Sequence, residues 1–226
     1  ENDKLRLSLQ NRKNADALLK QLKGVLDLAG TAGYKVVGAK VISHGSTTSF
    51  TQSITIDVGS NSGVRSNMTV LSGYGLVGVV KYVYPNSALV QLASDPAFRI
   101  GARIAGSQQI GILSGQGTRR GVLQLLDNRT QIRKGDVLLA RGSQGGRPFV
   151  PGVPIGSVTD VDNSPGAVTQ TADVKFYTNF STLGVVAVVV SGEGTDPRDA
   201  LVPPKPIPTP IPTVTVFVTP SPSPTN

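Results

Sequence analysis

The sequence predicts a mainly β protein that begins with one amphipathic helix and ends in a proline-rich tail. The central part, Val36 to Ser191, consists of short β-branched runs separated by glycine-containing turns, a spacing typical of barrels and sandwiches. Charged residues make up only 16% of the chain and glycine occurs 26 times, which also favours a β body with many turns. Ten of the 16 prolines follow Gly194, where the chain lacks the backbone donors that a sheet needs.

Residues 1–34 are expected to form a coiled-coil helix. Apolar residues recur at helical spacing from Lys4 to Ala29, and Gly30 provides a stop signal. With Leu5 at heptad position a, the apolar stripe for self-association consists of Leu5, Leu9, Leu19, Leu22 and Leu26. Arg12 at another a position and Gly24 inside the helix weaken such pairing. Two arrangements remain open: a parallel coiled-coil dimer, or a helix that folds back onto the β body.

Eleven short runs in the β body have the composition of strands. They are Ser53–Asp57, Thr69–Leu71, Leu76–Val83, Ala88–Ala93, Arg99–Ala105, Gln109–Leu113, Gly121–Leu126, Asp136–Ala140, Ile155–Val161, Ala172–Phe176 and Gly184–Val190. Glycine can adopt positive φ at little cost, so glycines are expected to shape the turns between strands. The glycines assigned to this turn frame are Gly59, Gly63, Gly75, Gly78, Gly101, Gly135, Gly152 and Gly156. The last run is apolar on both faces and is predicted to be a central strand.

Composition excludes several classes of site. The chain has no cysteine, so it has no disulfide, thiol nucleophile or cysteine metal ligand. Its longest apolar stretch, Leu183 to Val190, is far shorter than the roughly 20 residues of a membrane helix. Most of the net charge of +8 comes from the β body, which has 14 basic and seven acidic residues between Lys35 and Ser191. These basic residues are dispersed, which favours a solvated basic face over a specific anion site.

Catalytic and metal-binding patterns are weak. His44 is the only histidine, and a serine protease would need it beside an orienting carboxylate such as Asp57 or Asp95 and a nucleophile such as Ser143 or Ser157. The sequence around these residues lacks the protease signatures, so we predict no catalysis. One histidine without cysteines offers no zinc shell, and we predict no metal or cofactor.

Neither phosphate loops nor nucleic-acid binding is indicated. The glycine-rich segments 59–63 and 142–146 lack the Gly-Lys-Ser/Thr ending of a phosphate loop, and no helix follows them. The chain has six Phe, five Tyr and no Trp, and these are scattered, which argues against base stacking. We therefore predict no nucleic-acid partner.

Residues 192–226 form a Pro/Thr-rich tail that is expected to be disordered. Its repeats, such as Pro206 to Pro212, favour polyproline II. The uncharged, β-prone run from Thr213 to Val218 interrupts this pattern and could add to an exposed sheet edge.

The ordered set of β runs and turns resembles the extracytoplasmic region of the MreC family, the bacterial rod shape-determining proteins. The resemblance covers roughly Val41 to Val190. It begins with the run of turns and strands from Ser53 to Gly101. It continues through five further segments: Ile100–Ile104, Gly111–Gly115, Lys134–Leu138, Gly142–Gly146 and Pro151–Gly156.

The resemblance implies two small β-barrel domains, of which the first is discontinuous. The chain is expected to cross near Asp95 and Pro96 and to return near Val168. The first barrel would then contain residues 35–97 and 168–191, and the second would contain residues 98–167. The resemblance also implies a single-pass N-terminal membrane anchor upstream of Glu1, with this region on the extracytoplasmic side of the bacterial cell membrane.

By the same resemblance, the chain is a non-catalytic scaffold of the cell-wall elongation machinery that maintains cell shape. It would form a homodimer or larger assembly, bind and activate a class B penicillin-binding transpeptidase, and contact the membrane proteins MreD and RodA. Two alternative functions fit the sequence less well. A periplasmic adaptor of a secretion or efflux system needs two antiparallel helices where the sequence shows one, and a chymotrypsin-like protease fails on the motifs above.

Overall fold

The computed structural model describes residues 2–45, 52–107, 109–117, 119–125, 132–162, 169–192, 197 and 199–204. Within these residues the chain forms one long helix, α1 (Asn2–Ala32), and twelve strands. The strands are β1 (Lys35–His44), β2 (Ser53–Ile56), β3 (Thr69–Ser72), β4 (Gly75–Val83), β5 (Ala88–Leu92), β6 (Arg99–Ile104), β7 (Ile110–Gly115), β8 (Arg120–Leu125), β9 (Val137–Ala140), β10 (Pro154–Asp162), β11 (Thr171–Phe176) and β12 (Val185–Ser191). Side chains at 2–5 and 7–11, which include Leu5 and Leu9, and the tail from Lys205 onward lie outside the described residues.

The first barrel is closed and antiparallel, with strand order β1-β12-β3-β4-β5-β2. The long strand β1 closes it: Lys35–Lys40 pairs with β12, and Val41–His44 pairs with β2. β12 lies between β1 and β3, and most of its residues are buried, as expected for a central strand. Because β12 comes from the end of the body and β1 to β5 from its start, the first barrel is discontinuous, which confirms the predicted fold class.

The second barrel is inserted between β5 and β12 and is also closed and antiparallel, with order β10-β11-β8-β7-β6-β9. Most of its strands alternate between buried and partly exposed residues, as in Arg120–Leu125. The buried residues form a small apolar core that includes Leu113, Leu123, Leu138 and Phe176. This alternation is the period-2 pattern that made these strands recognisable in the sequence.

The predicted return point near Val168 is wrong. Thr171–Phe176 pairs with both β8 and β10, so it belongs to the second barrel. The chain re-enters the first barrel only between Tyr177 and Val185. The sequence also missed β1. Only Ala39 in this strand is buried, and the register shifts within both pairings, so its burial shows no regular alternation.

The helix α1 ends later than predicted, at Gly33 instead of Gly30. Gly33 has φ of 70°, its amide donates to the carbonyl of Gly30 at 3.2 Å, and the Tyr34 amide donates to Ala29 at 2.9 Å. This pair of bonds is a Schellman motif, and it is accompanied by the burial of both Tyr34 and Ala29. The motif turns the chain from the helix directly into β1.

A buried aspartate organises the crossing between the barrels. Asp95 is fully buried, and its carboxylate accepts hydrogen bonds from the amides of Gln52 (2.5 Å) and Ala97 (2.7 Å) and from the Gln91 side chain (3.1 Å). The Gln52 side chain in turn donates to the carbonyl of Gly117, in the β7–β8 turn of the second barrel. The first barrel, the crossing and the second barrel therefore share one hydrogen-bond network.

A second contact joins the barrels through the loop before β10. The Thr69 hydroxyl donates to the carbonyl of Pro148 at 2.8 Å and accepts from the amide of Val150 at 3.0 Å. Phe98 and Phe149 pack edge to face with ring centroids 5.5 Å apart. Together with the Asp95 network, these contacts fix how the two barrels are oriented to each other.

The glycines predicted as a turn frame do not all lie in turns. Gly78, Gly101 and Gly156 lie inside strands, which corrects their assignment to turns. At Gly78 a β-carbon would overlap the carbonyl oxygen of Gln91 on the neighbouring strand, so the missing side chain permits close strand approach. At Gly101 the nearest atom to such a carbon is 3.9 Å away, so no contact in the structure requires glycine there.

Candidate interaction surfaces

One side of α1 is docked on the first barrel against β1, β3 and β12. Val25 and Ala29 are buried in this contact, with 1% and 3% of their surface exposed. Two glycines approach closely here: a β-carbon at Gly73 would lie 2.9 Å from the Cα of Gly24. From the sequence, Gly24 is expected only to destabilise the helix, by about 1 kcal/mol. A glycine kept inside a helix despite this loss can mark a close packing contact, and that is its role here.

A single side chain orients the docked helix. The Gln21 Oε1 atom accepts hydrogen bonds from the amides of Gly184 (3.1 Å) and Val185 (2.9 Å), and its Nε2 atom donates to the carbonyl of Thr182 at 3.2 Å. These three bonds satisfy backbone groups at the start of β12, where the chain re-enters the first barrel. The docked helix therefore takes part in the hydrogen bonding of this segment.

Beside its docked side, α1 carries an exposed leucine stripe, which we define as Leu19, Leu22 and Leu26. Their exposed fractions are 55%, 37% and 54%. In a helix with 3.6 residues per turn, Leu19 and Leu26 lie almost in line along the axis, and Leu22 lies between them. The leucine stripe is a contiguous apolar surface on an otherwise polar side of the helix.

The docked side and the leucine stripe use different residues of the same heptads. Ala29 would be the next d position after Leu22, but it is buried against the barrel. A coiled-coil seam on this helix can therefore run as far as Leu26 and no further. Docking on the barrel and pairing with a second helix therefore do not exclude each other. The C-terminal turns of α1 dock on the barrel, while the leucine stripe remains exposed for pairing.

The described contacts of the candidate protease residues do not bring them together as a triad. His44 is the exposed last residue of β1 and pairs with Ile54. The Asp57 carboxylate accepts a hydrogen bond from the amide of Lys40 at 2.7 Å, and Asp95 serves the barrel crossing. Among the described residues, no three histidine or acidic side chains are grouped as a metal site.

Tyr177 is half-buried just after β11, and burial raises the pKa of its phenol above the usual value, although a hydrogen bond with Ser157 acts in the opposite direction. A raised pKa means that the folded protein holds this proton more tightly than the unfolded chain. Its contribution to stability is therefore present below about pH 10 and is lost as pH rises through the folded-state pKa. We expect Tyr177 to ionise above the usual tyrosine pKa of about 10.

Near-ultraviolet tyrosinate absorbance, followed against pH in the intact chain, measures this ionisation, and Tyr177→Phe assigns the step. The Tyr177→Phe variant should remove a step that lies above about pH 10. Removal of a step at or below the usual tyrosine pKa would contradict the role of burial.

Comparison with known families agrees with this architecture. The family model of the rod shape-determining protein MreC, described as its barrel core, matches residues 41–190, which include all of the second barrel and most of the first. The chain belongs to the MreC family. The described part of the chain contains no helix with an apolar stretch long enough to span a bilayer.

Individual MreC proteins resemble this chain over most of its length. The cell shape-determining protein MreC of Listeria monocytogenes is 31% identical over 176 residues, which are 75% of this chain and 59% of the relative. This chain thus spans about three fifths of that protein. A solved MreC structure with 28% identity has a TM-score of 0.68 and covers 77% of this chain and 98% of its own.

A more distant MreC structure shares the fold. It comes from Helicobacter pylori, is 18% identical with a TM-score of 0.54, and covers 69% of this chain and 99% of its own. That protein was solved as a complex with the penicillin-binding protein PBP2. At this identity the likeness extends to the fold alone.

Proposed function

We propose that this chain is part of a non-catalytic extracytoplasmic scaffold of the bacterial cell-wall elongation machinery. In this proposal the scaffold self-associates through the leucine stripe of α1. Membership of the MreC family supports a role in cell shape. The observation that carries the proposal is the leucine stripe itself, because α1 buries one side on the barrel and still exposes three large apolar residues on another.

The same proposal assigns a partner to the barrels. A class B penicillin-binding transpeptidase binds the β body, and the scaffold favours the active arrangement of the enzyme by binding it more tightly than the inactive one. The Helicobacter pylori MreC complex with PBP2 supports this choice of partner. The rigid orientation of the two barrels suits such a role, since a scaffold can bias a partner only by presenting a defined surface.

The proposal also includes the membrane context of the family. An N-terminal single-pass anchor would continue α1 upstream and bring the scaffold close to MreD and RodA. Leu5 and Leu9, earlier on the same helix, continue the apolar sequence pattern toward such an anchor, which would lengthen the seam further. Longer seams associate more tightly, because each added heptad buries further apolar surface.

Self-association is tested by replacing Leu19 and Leu26 together with lysine. Both residues are exposed, so the fold should persist while paired lysines repel each other across the seam. We expect the dimer dissociation constant to rise at least about tenfold, which corresponds to about 1.4 kcal/mol. Light scattering across a dilution series measures this change.

The matched control is Lys20→Ala, on the same stretch of α1 and exposed, at heptad position b and so away from the leucine stripe. It should leave the assembly state unchanged. An unaltered dissociation constant in the double lysine variant would reject self-association through α1. Binding of a purified class B transpeptidase to the intact chain tests the partner separately. A failure of self-association would not exclude transpeptidase binding, and a failure of transpeptidase binding would not exclude self-association.

A further inference from the structure

Residues 199–204, which we call the strap, return to the second barrel. The Asp199 carboxylate forms an ion pair with Arg103 at 2.7 Å and accepts a hydrogen bond from the amide of Gly106 at 2.8 Å. Leu201 is only 9% exposed. This corrects the expectation that the whole of 192–226 is a disordered tail.

The strap forms one wall of a cleft of about 470 Å³. The other walls come from three parts of the fold: α1, the β3–β4 turn, and the second barrel. Leu28 lies on the helix wall, Tyr74 on the turn, and Pro154 and Tyr177 on the second barrel. The cleft is thus mainly apolar, is bordered by two phenol rings, and lies where the helix and both barrels meet.

The strap enters the cleft as a proline pair. Pro203 and Pro204 both line it, and the sequence continues with Lys205 and then with the alternating prolines of Pro206–Pro212. A polyproline II helix has three residues per turn, so residues three apart share an edge. In a polyproline II conformation, the following segment would present Pro206 on the edge of Pro203 and Ile207 on the edge of Pro204.

The walls have the chemistry that recognises such a helix. Proteins bind polyproline II segments in grooves lined by aromatic side chains, and the preformed helix loses little entropy on docking. Tyr74 is 59% exposed, so its ring is accessible to an incoming segment. The exposed tyrosines Tyr82 and Tyr84 lie on and just after β4 and are not part of the cleft.

We propose that this cleft is a polyproline-binding site and that its occupant is the segment Lys205–Pro212 of the same chain. The choice of occupant follows from where the described chain stops. Pro204 already lies in the cleft, and a segment attached there has an effective concentration in the millimolar range for this site. Docking of the segment joins α1 to both barrels and so holds the angle at which the helix leaves the body.

Fluorine NMR of the full chain tests the proposal, because the protein contains only five tyrosines and all can be replaced by fluorotyrosine. The test variant carries Pro206→Ser, Ile207→Ser and Pro210→Ser. We expect the resonances of Tyr74 and Tyr177 to shift, while those of Tyr82 and Tyr84 stay unchanged. The matched control changes Pro220, Pro222 and Pro224 to serine and should leave all five resonances in place.

Two further measurements identify the occupant. In the chain that also carries Leu19→Lys and Leu26→Lys, the Tyr74 and Tyr177 resonances should be independent of protein concentration if the segment docks on its own chain. A peptide of residues 205–212, added at millimolar concentration to the serine variant, should restore the original positions of these resonances. The proposal is overturned if Tyr74 and Tyr177 do not respond to the serine changes, if the control shifts them equally, or if dilution shifts them, which would indicate a second copy.

Discussion

Replacement of Asp95 by alanine is expected to lower the free energy of unfolding by about 3 kcal/mol. The carboxylate is fully buried and accepts three hydrogen bonds, from the amides of Gln52 and Ala97 and from the Gln91 side chain. Alanine leaves the buried Gln91 side chain and the part-buried amide bonds from Gln52 and Ala97 without their acceptor. For a chain of this size the melting temperature should fall by about 6–12 °C.

Thermal and urea unfolding measure this loss, with Asp160→Ala as the control, since Asp160 is exposed on β10. The control should change stability by less than about 0.5 kcal/mol. Asp95→Asn keeps one acceptor oxygen, and its free energy of unfolding should lie between those of the two alanine variants. Because Gln52 also contacts Gly117, hydrogen exchange at the β7–β8 turn should increase in the alanine variant. Equal stability of Asp95→Ala and Asp160→Ala would show that the network does not support the crossing.

Alanine at Gly78 should destabilise the first barrel by about 3 kcal/mol, at the upper end of the usual cost of overpacking. The added β-carbon would overlap the carbonyl oxygen of Gln91 on β5, and this backbone atom cannot move without disturbing the ladder between the strands. The strands would have to separate locally. Chemical denaturation followed by circular dichroism measures the loss.

The matched control is Gly101→Ala, the same change inside a strand of the other barrel. Its β-carbon would have no atom nearer than 3.9 Å, so stability should stay constant or rise slightly, since alanine costs less backbone entropy than glycine. Similar losses in both variants would mean that glycine is required by its backbone freedom and not by the approach of β5. The two glycines look alike in the sequence and differ only in their neighbours.

Individual elements show which structural features the local sequence pattern can predict. β8 and β11 were recognised because their buried residues alternate regularly. β1 was missed because its register shifts within both pairings and its burial shows no regular alternation. The end of α1 was placed at Gly30 on residue type, whereas Gly33 ends it because the Tyr34 amide bonds back to Ala29.

The candidate surfaces divide in the same way. The leucines at 19, 22 and 26 were picked out by heptad spacing alone, and the structure leaves all three exposed. The docking role of Gly24 was not apparent, because its partner Gly73 is 49 residues away in the chain (73 minus 24). The strap was read as part of a disordered tail, because nothing near Asp199 in the sequence indicates its ion pair with Arg103.

The sequence by itself therefore determined the mainly β class, the amphipathic helix, most of the strands and the family. These properties depend on alternation, helical spacing and composition within short windows, where neighbouring residues decide the conformation. Only the tertiary structure decided which side of α1 docks, where the chain re-enters the first barrel, how Asp95 ties the barrels together, and that the strap lines a cleft. Each of these depends on a contact between residues distant in the chain, and such contacts form only when the backbone closes into its barrels.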